Sequence, residues 1–320
     1  MDEQLIIYLR DVHSIEKQAL AQLRPAPAIA GDDAIAEALR EHEAETEEHE
    51  RLIRARLEAH GARPSMLKDA AGVASGPAFV LFAKLQPDTP GKLVAHAFSY
   101  EHMELAAHDI LARVADAAGD AETADVARRI REEERAMADR LANLFDTAVE
   151  ASLAEKGADD AASELPGYLT DAHAIESQSV GLLERARKTG GLPALEELYQ
   201  SHLEESRDQQ RLIAERLEAL GESPSRLKDA AMKLGSLNWA AFFAAQPDTP
   251  AKLAGFAYAF EHLEIAGYEL LARVARRASD EATVSLCEHA LAEERVMASR
   301  LTGLFDEATE ASLEEAGASR

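Results

Sequence analysis

Polar side chains interrupt a helical apolar stripe between residues 39 and 53, and this stretch organises the rest of the chain. His42, Glu45 and His49 are separated by three and four residues, which places their side chains on one face of an α-helix with Leu52. An inward face normally carries aliphatic side chains, because burying an ionisable group costs free energy unless it is paired or metal-bound. The pattern therefore predicts a core-facing stripe with three candidate ligands.

Apolar residues at helical spacing predict four long helices in the first half of the chain. They cover about residues 3–21, 33–59, 88–118 and 121–155. The short turns predict antiparallel pairs, whereas the connection at 61–88 is long enough to cross along a bundle, as in ferritin-like folds. Two pieces of this connection, SMLKDAAG and PAFVLFAKL, are expected to form short helices. The predicted fold is an all-α, ferritin-like four-helix bundle.

The second half of the chain repeats the first. Shifting the sequence by 160 residues aligns it with itself without a gap, and about 69 of the 160 residue pairs are identical. A repeat of this length indicates a duplicated domain, because solenoid units are only about 20–50 residues long. We therefore expect two tandem four-helix bundles, at 1–156 and 161–320, that pack together with pseudo-two-fold symmetry.

Each predicted helix of the first bundle carries a glutamate on or beside its apolar stripe. One such glutamate is most simply solvated or ion-paired. Glutamates in register on four helices, with imidazoles on one of them, are instead typical of a dinuclear carboxylate site. The candidate metal ligands of the first bundle are Glu16, His42, Glu45, His49, Glu101, Glu104 and Glu134.

The duplication supports this interpretation, because most candidates keep their identity where more than half of the residue pairs have changed. The counterparts that form the candidate site of the second bundle are Glu176, His202, Glu205, Glu261, Glu264 and Glu294. Two imidazoles are not kept, since His49 becomes Gln209 and His108 becomes Tyr268. Imidazole is a better ligand for Fe, Mn or Zn than a carboxamide, so we expect the first bundle to bind metal more tightly.

Other polar residues near the stripes receive simpler interpretations. His13 and its counterpart His173 lie off the main stripe and are expected to be capping or surface groups. Glu133 lies beside the stripe of the fourth helix and is expected to be solvated. His102 follows Glu101 directly, and we expect it to orient that carboxylate.

Composition excludes several classes of function. Acidic residues outnumber basic ones by 59 to 34, for a formal net charge of −25, which argues against binding to nucleic acid. Cys287 is the only cysteine, so no disulfide or cysteine-based zinc site can form within one chain. The start has no basic and apolar leader, and no apolar run approaches the roughly 18 residues of a membrane span. We expect a cytoplasmic protein that does not bind membranes.

Four motifs and their repeats carry a resemblance to a known family. The motifs of the first half are DVHSIEKQ at Asp11, EHEAETEEHERL at Glu41, YEHMELAAH at Tyr100 and EEERAMADRL at Glu132. Together they resemble the YciF-like family of ferritin-like stress proteins. The resemblance implies a bundle whose inward Glu and His side chains hold iron or a similar metal. The sequence departs from the broader di-iron pattern at Met137 and Met297, where that pattern has histidine.

Three hypotheses about function follow. In the first, each bundle binds Fe or Mn, as a dinuclear centre, and protects against oxidative or general stress through oxidase or peroxidase-like chemistry. In the second, the bundles are metal-free interaction proteins of the stress response, and the inward glutamates pair with histidine or arginine. In the third, the protein stores iron, although two fused bundles without a separate assembly helix favour a closed shell less.

Overall fold

The computed structural model describes residues 1–65, 89–155, 161–189, 191–225 and 249–318. Ten α-helices and one 3₁₀-helix lie in these ranges, and the ranges contain no β-strand. The chain divides into two compact units, Met1–Lys156 and Gly157–Arg320. The protein is therefore an all-α tandem of helical bundles, as the periodicity and the repeat predicted. None of the described helices is long and apolar enough to cross a membrane.

The described residues of unit 1 form five α-helices, and side-chain caps start two of them. The helices are α1 (Asp2–Leu23), α2 (Asp33–Ala59), α3 (Thr89–Ala118), α4 (Ala121–Asn143) and α5 (Phe145–Glu155). Asp32 accepts hydrogen bonds from the first-turn N–H groups of α2, and Asp120 does the same for α4. Gly31 precedes the first cap with a φ of +69°, and a Cβ there would meet Pro90 Cγ at 2.5 Å. Only glycine therefore fits this turn without strain.

Contacts between the helices fix their directions. His13 contacts Glu50 and Arg24 contacts Glu47, so α1 and α2 are antiparallel. The contacts that show the same reversal between α1 and α3 are Gln22 with His96 and Ile15 with Tyr100. It follows that α2 and α3 run parallel, which is the pair that the long crossover of a ferritin-like bundle joins. Most of the connection predicted to contain short helices lies at 66–88, outside the described residues.

The fourth predicted helix, 121–155, is two helices in the structure, and the prediction of a single helix is wrong. The break lies at Leu144, whose N–H bonds to Leu141 O instead of continuing the α-helical ladder. The break lets Phe145 pack against Phe98, with ring centroids 5.3 Å apart. It also brings Ser152 Oγ to 2.8 Å from the backbone N–H of Gly91 at the start of α3. Tertiary packing thus outweighs the local helical preference.

The described residues of unit 2 repeat this arrangement, although the first helix is longer and the second begins without a side-chain cap. Its helices are α6 (Ala161–Thr189), α7 (Pro193–Ala219), α8 (Thr249–Arg277), α9 (Glu281–Gly303) and α10 (Phe305–Ala318). Helix α6 extends over positions that in unit 1 form the 3₁₀-helix Ala26–Ile29. Pro25 and Pro27 prevent a continuous α-helix in unit 1, whereas arginines occupy the matching positions of unit 2. Residues 226–248, which match most of the first connection, also lie outside the described ranges.

Candidate metal centre

Four helices of unit 1 direct ionisable side chains into its interior. The first set, here called group A of unit 1, consists of His42, Glu101, Glu104 and Glu134. Each residue offers one ligand atom, and these atoms lie within 4.8 Å of one another. All four residues are buried, and at most 2 % of any of them is exposed. Helices α2, α3 and α4 therefore converge on one buried polar centre.

Distances within group A match those between ligands of one cation. His42 Nε2 lies 3.0 Å from Glu101 Oε2 and 3.4 Å from Glu134 Oε2. Metal–ligand bonds of about 2.0–2.2 Å place neighbouring ligand atoms roughly 3.0–3.5 Å apart in octahedral or tetrahedral geometry. The imidazole and the two carboxylates are thus spaced as ligands of one ion would be.

A second set of residues shares Glu134 with the first. This set, group B of unit 1, consists of Glu16, His108 and Glu134, and its ligand atoms also lie within 4.8 Å of one another. His108 Nε2 is 2.7 Å from Glu16 Oε1. His49 faces the same region, because its Nδ1 lies 2.8 Å from Glu134 Oε1 and 4.0 Å from Glu16 Oε2. Glu134 therefore turns one oxygen toward group A and the other toward group B.

Several polar atoms of these groups are buried without a hydrogen bond. Both carboxylate oxygens of Glu104 and of Glu134 are in this state. So are Glu16 Oε2, Glu101 Oε2 and His42 Nε2. A buried polar atom without a hydrogen bond costs about 1–3 kcal/mol, and a charged one costs more. Because these atoms point toward one another on four helices, the residues present fit a bound cation.

Half-exposed carboxylates hold the outer nitrogen of two imidazoles. His42 Nδ1 bonds to Glu45 Oε2 at 3.1 Å, and His49 Nε2 bonds to Glu133 Oε2 at 2.7 Å. Each imidazole can donate its N–H outward and keep the inner nitrogen available for a metal, as in the carboxylate–histidine–metal pattern. The side chain of Glu45 is 54 % exposed, and Glu45 belongs to neither group. The structure thus places Glu45 beside the centre, bonded to His42, rather than among the buried residues of the two groups.

Electrostatics within the centre favour protons or a cation. Burial raises the pKa of Glu101 to about 8, against the lowering effect of His42. Burial and nearby carboxylates raise the pKa of Glu104 well above its ordinary value. Burial opposes the charged forms of His49 and Glu134, yet their mutual attraction raises the pKa of His49 to about 9 and lowers that of Glu134 to about 2. A divalent cation would displace the protons that the centre otherwise holds.

Unit 2 reproduces group A closely. Group A of unit 2 consists of His202, Glu261, Glu264 and Glu294, all buried, with ligand atoms within 4.8 Å of one another. His202 Nε2 lies 3.0 Å from Glu261 Oε2 and 3.2 Å from Glu294 Oε2. His202 Nδ1 bonds to Glu205 Oε2 at 2.9 Å, and 38 % of the Glu205 side chain is exposed. Glu205 therefore repeats the position of Glu45.

The counterpart of group B differs in unit 2. Tyr268 replaces His108 and donates its hydroxyl hydrogen to Glu176 Oε1. Gln209 replaces His49, and its Nε2 donates to Glu293 Oε2 at 2.9 Å. Both substitutions keep the hydrogen bond of the histidine that they replace, but neither supplies an imidazole nitrogen.

Other sequence-based interpretations need correction. His13 is 1 % exposed and bonds to Glu50 at 2.9 Å, so it is neither a cap nor a surface group. His173 is also buried. Glu133 was expected to be solvated only, but it holds His49. His102 donates from Nδ1 to the carbonyl of Phe98 at 2.7 Å, a bond within its own helix.

His108 belongs to the buried centre but was not among the candidate ligands predicted from the sequence. His108 lies on the α3 stripe next to that of Glu104, and its loss in unit 2 made it a weak candidate. The structure brings it to Glu16 because α1 and α3 pack against each other along their length. Its i+4 spacing from Glu104 was the signal that could have identified it.

Comparison with known families agrees with the repeat. No solved structure matches the chain. The family model described as "Domain of unknown function (DUF892)" matches residues 1–154 and again residues 165–314. The two matched segments together cover most of the chain, one in each unit. The chain therefore belongs to the DUF892 family and contains its domain twice.

Proposed function

We propose that this protein is a ferritin-like metal-binding protein whose units hold divalent cations in the buried His and Glu centres. The observation that carries the proposal is the convergence of buried carboxylate oxygens that have no hydrogen bond, above all both oxygens of Glu104. Both oxygens of Glu264 repeat this state in unit 2. Four glutamates buried together repel one another, and a cation among them removes both the repulsion and the unsatisfied oxygens.

The donor set favours Fe(II) or Mn(II). Group A supplies three carboxylates and one imidazole, a mixture of hard oxygen donors with one nitrogen of intermediate softness. Structural zinc sites use mainly thiolate and imidazole, and magnesium or calcium sites use oxygen alone. We infer that iron or manganese is the resident metal.

Redox protection is the activity that this centre would best support. Fe or Mn bound there would supply electrons for the reduction of dioxygen or peroxide, in line with the hypothesis of protection against oxidative stress. The protein's own residues would bind and orient the metal and exclude bulk water. The outer carboxylates of Glu45 and Glu133 would fix the imidazole tautomers, and Tyr100, which donates to the Ile15 carbonyl at 3.1 Å, would hold α3 against α1.

A metal-free interaction bundle is the second candidate, and one observation favours it. Protonated His49 would be paired on both sides, with Glu133 at 2.7 Å and Glu134 at 2.8 Å. Protonated His42 would likewise lie between Glu45 and Glu101. In this state the centre is a polar network that specifies the packing of the bundle.

Elemental analysis of the full chain, purified without added metal, distinguishes the two candidates. The proposal predicts bound Fe or Mn and a rise in melting temperature when metal is restored after chelation. Glu104→Gln should lower the metal content and reduce that rise, whereas Glu58→Ala, an exposed carboxylate near the end of α2, should change neither. Metal-free protein whose melting temperature does not respond to Fe(II) or Mn(II) would support the interaction bundle instead.

A further inference from the structure

We propose that the two units differ in nuclearity: unit 1 holds two cations and unit 2 holds one, so a fully loaded chain carries three. The inference rests on the proposed metal binding. What distinguishes the units is the pair of residues at positions 108 and 49 of unit 1, which become Tyr268 and Gln209 in unit 2.

Group A is equivalent in the two units. The nitrogen–oxygen distances are 3.0 and 3.4 Å around His42 and 3.0 and 3.2 Å around His202. The outer hydrogen bond from Nδ1 is also kept, to Glu45 in one unit and to Glu205 in the other. One cation per unit is therefore expected at this position.

Group B of unit 1 has the donors for a second cation. Glu16 and Glu134 supply oxygens and His108 supplies a nitrogen, within 4.8 Å of one another. His49 Nδ1 adds a second imidazole, 2.8 Å from Glu134 Oε1. Glu134 faces both groups with different oxygens, which is how a carboxylate bridges two metals. Four side chains thus surround the second position.

The same position in unit 2 lacks both imidazoles. His108 Nε2 and the Tyr268 hydroxyl both bond to the glutamate of the first helix, but a neutral imidazole can offer that nitrogen to a metal, whereas the phenol keeps its hydrogen. Gln209 is held by Glu293 and offers only its amide oxygen. The oxygens of this set that remain without a hydrogen bond, on Glu176, Gln209 and Glu294, have no imidazole nitrogen beside them, so a second metal ion would bind more weakly here than in unit 1. Among the described residues, unit 2 accordingly contains one His and Glu group of this kind and unit 1 contains two.

Metal counting on the full chain tests the inference. The chelated protein is titrated with Mn(II) under anaerobic conditions, and tightly bound metal is measured by elemental analysis after removal of excess. We expect three Mn per wild-type chain and two in His108→Tyr. The double variant Tyr268→His with Gln209→His should bind four.

Electron paramagnetic resonance gives a second readout. Two Mn(II) ions bridged by Glu134 should be magnetically coupled, whereas the ion in unit 2 should give the signal of an isolated Mn(II). His108→Tyr should convert the coupled signal into an isolated one. The matched control is His96→Phe, which also introduces the unit 2 residue into α3 but lies outside both groups, and it should keep three Mn and the coupled signal.

The outcomes separate this inference from the proposed function. Two or four tightly bound Mn per wild-type chain, or an unchanged count in His108→Tyr, would overturn the inference and leave metal binding intact. No bound Mn in any variant would overturn both. Circular dichroism of each variant checks that a lost ion does not reflect a lost fold.

Discussion

The two ring nitrogens of His42 and of His49 have different partners. His42 and His49 each bond one nitrogen to a half-exposed carboxylate and direct the other toward buried carboxylates. The outer carboxylate fixes which nitrogen carries the hydrogen, so the inner nitrogen keeps its lone pair for a metal. Glu45 and Glu133 therefore act on a bound ion only through the imidazoles that they hold.

Replacing Glu45 tests this positioning role. Glu45→Ala should weaken metal binding by unit 1 by roughly 10–100-fold, the usual effect of losing a partner that orients a ligating histidine. Glu45→Gln keeps a hydrogen-bond acceptor for His42 and should restore much of the affinity. Competition with a chelating dye measures the affinity, and Glu58→Ala is the control on the exposed side of the same helix. Equal losses in all three variants would contradict the role.

The stability of the metal-free protein should fall as the pH rises from about 4.5 to about 9. The pKa of His49 rises from the ordinary value of 6.5 to about 9 in the folded state, and that of Glu101 rises from 4.5 to about 8. Both groups hold their proton more tightly when folded, so their stabilisation is complete below the ordinary pKa and is lost as pH rises through the folded pKa.

Urea unfolding with chelator present, at several pH values between 6 and 9, measures this dependence. His49→Gln should flatten it, because the carboxamide does not titrate. Metal affinity should change in the opposite direction and increase with pH, since a cation competes with these same protons. A metal-free protein whose stability is constant over this range would show that the centre does not hold the protons.

The sequence pattern identified most residues of the centre but did not show which of them are buried in it. Helical periodicity identified Glu16, Glu101 and Glu134 because a glutamate on an apolar stripe is conspicuous in one dimension. Residues three positions apart lie on the same side of a helix but not at the same angle about its axis. The pattern therefore could not show that Glu45 lies at the exposed edge of α2. The pairing of His108 with Glu16 depends on how α1 and α3 pack, which no single helix reveals.

Among the helices of unit 1, the break at Leu144 separates α4 from α5, and α5 packs against α3. Helix α5 leaves the direction of α4 and packs against α3, where Ser152 accepts the N–H of Gly91. Unit 2 repeats the bond, with Ser312 Oγ accepting the N–H of Ala251 at 2.9 Å. The N–H groups of a first helical turn have no partner within their own helix, so a buried serine satisfies one of them.

Removing this serine should destabilise unit 1. Ser152→Ala leaves a buried N–H without its acceptor, which costs about 1–3 kcal/mol of unfolding free energy. Thr147→Ala removes a hydroxyl from the half-buried side of the same helix and should cost less. Chemical denaturation of both variants measures the difference. Equal effects would indicate that the bond to Gly91 contributes little.

The helices themselves were largely predictable, whereas the break was not. The caps at Asp32 and Asp120 and the prolines after α1 are local signals with fixed structural consequences. No glycine or proline lies near Leu144, so the sequence predicts one continuous helix there. The break arises from the contact of Phe145 with Phe98, residues far apart in the chain.

At the scale of the whole molecule, the duplication left one centre richer in imidazole than the other. Unit 1 places His42, His49 and His108 at its centre, and unit 2 keeps only the counterpart of the first, His202. Four buried glutamates persist in each unit. The chain therefore combines two versions of one bundle that share one buried group of a histidine and three glutamates and differ beside it.

Unit 1 should bind metal more tightly than unit 2. In the full chain, Glu264→Gln disables unit 2 and reports on unit 1, and Glu104→Gln does the reverse. Titration with Fe(II) or Mn(II) under anaerobic conditions should give a lower Kd for the Glu264→Gln chain, because imidazole binds these metals better than carboxamide or phenol does. His49→Gln added to that chain should raise its Kd toward the value of unit 2. Tighter binding by the Glu104→Gln chain would contradict the ranking.

Anomalous X-ray diffraction would show directly whether the buried His and Glu groups hold metal ions. Crystals of the full chain, purified without added chelator, are measured at the absorption edges of iron and manganese. We expect an anomalous peak in unit 1 about 2.0–2.5 Å from His42 Nε2 and the carboxylates of Glu101, Glu104 and Glu134, and a matching peak beside His202 in unit 2. Maps without a peak at either position, with the glutamates bonded directly to the histidines, would contradict this expectation.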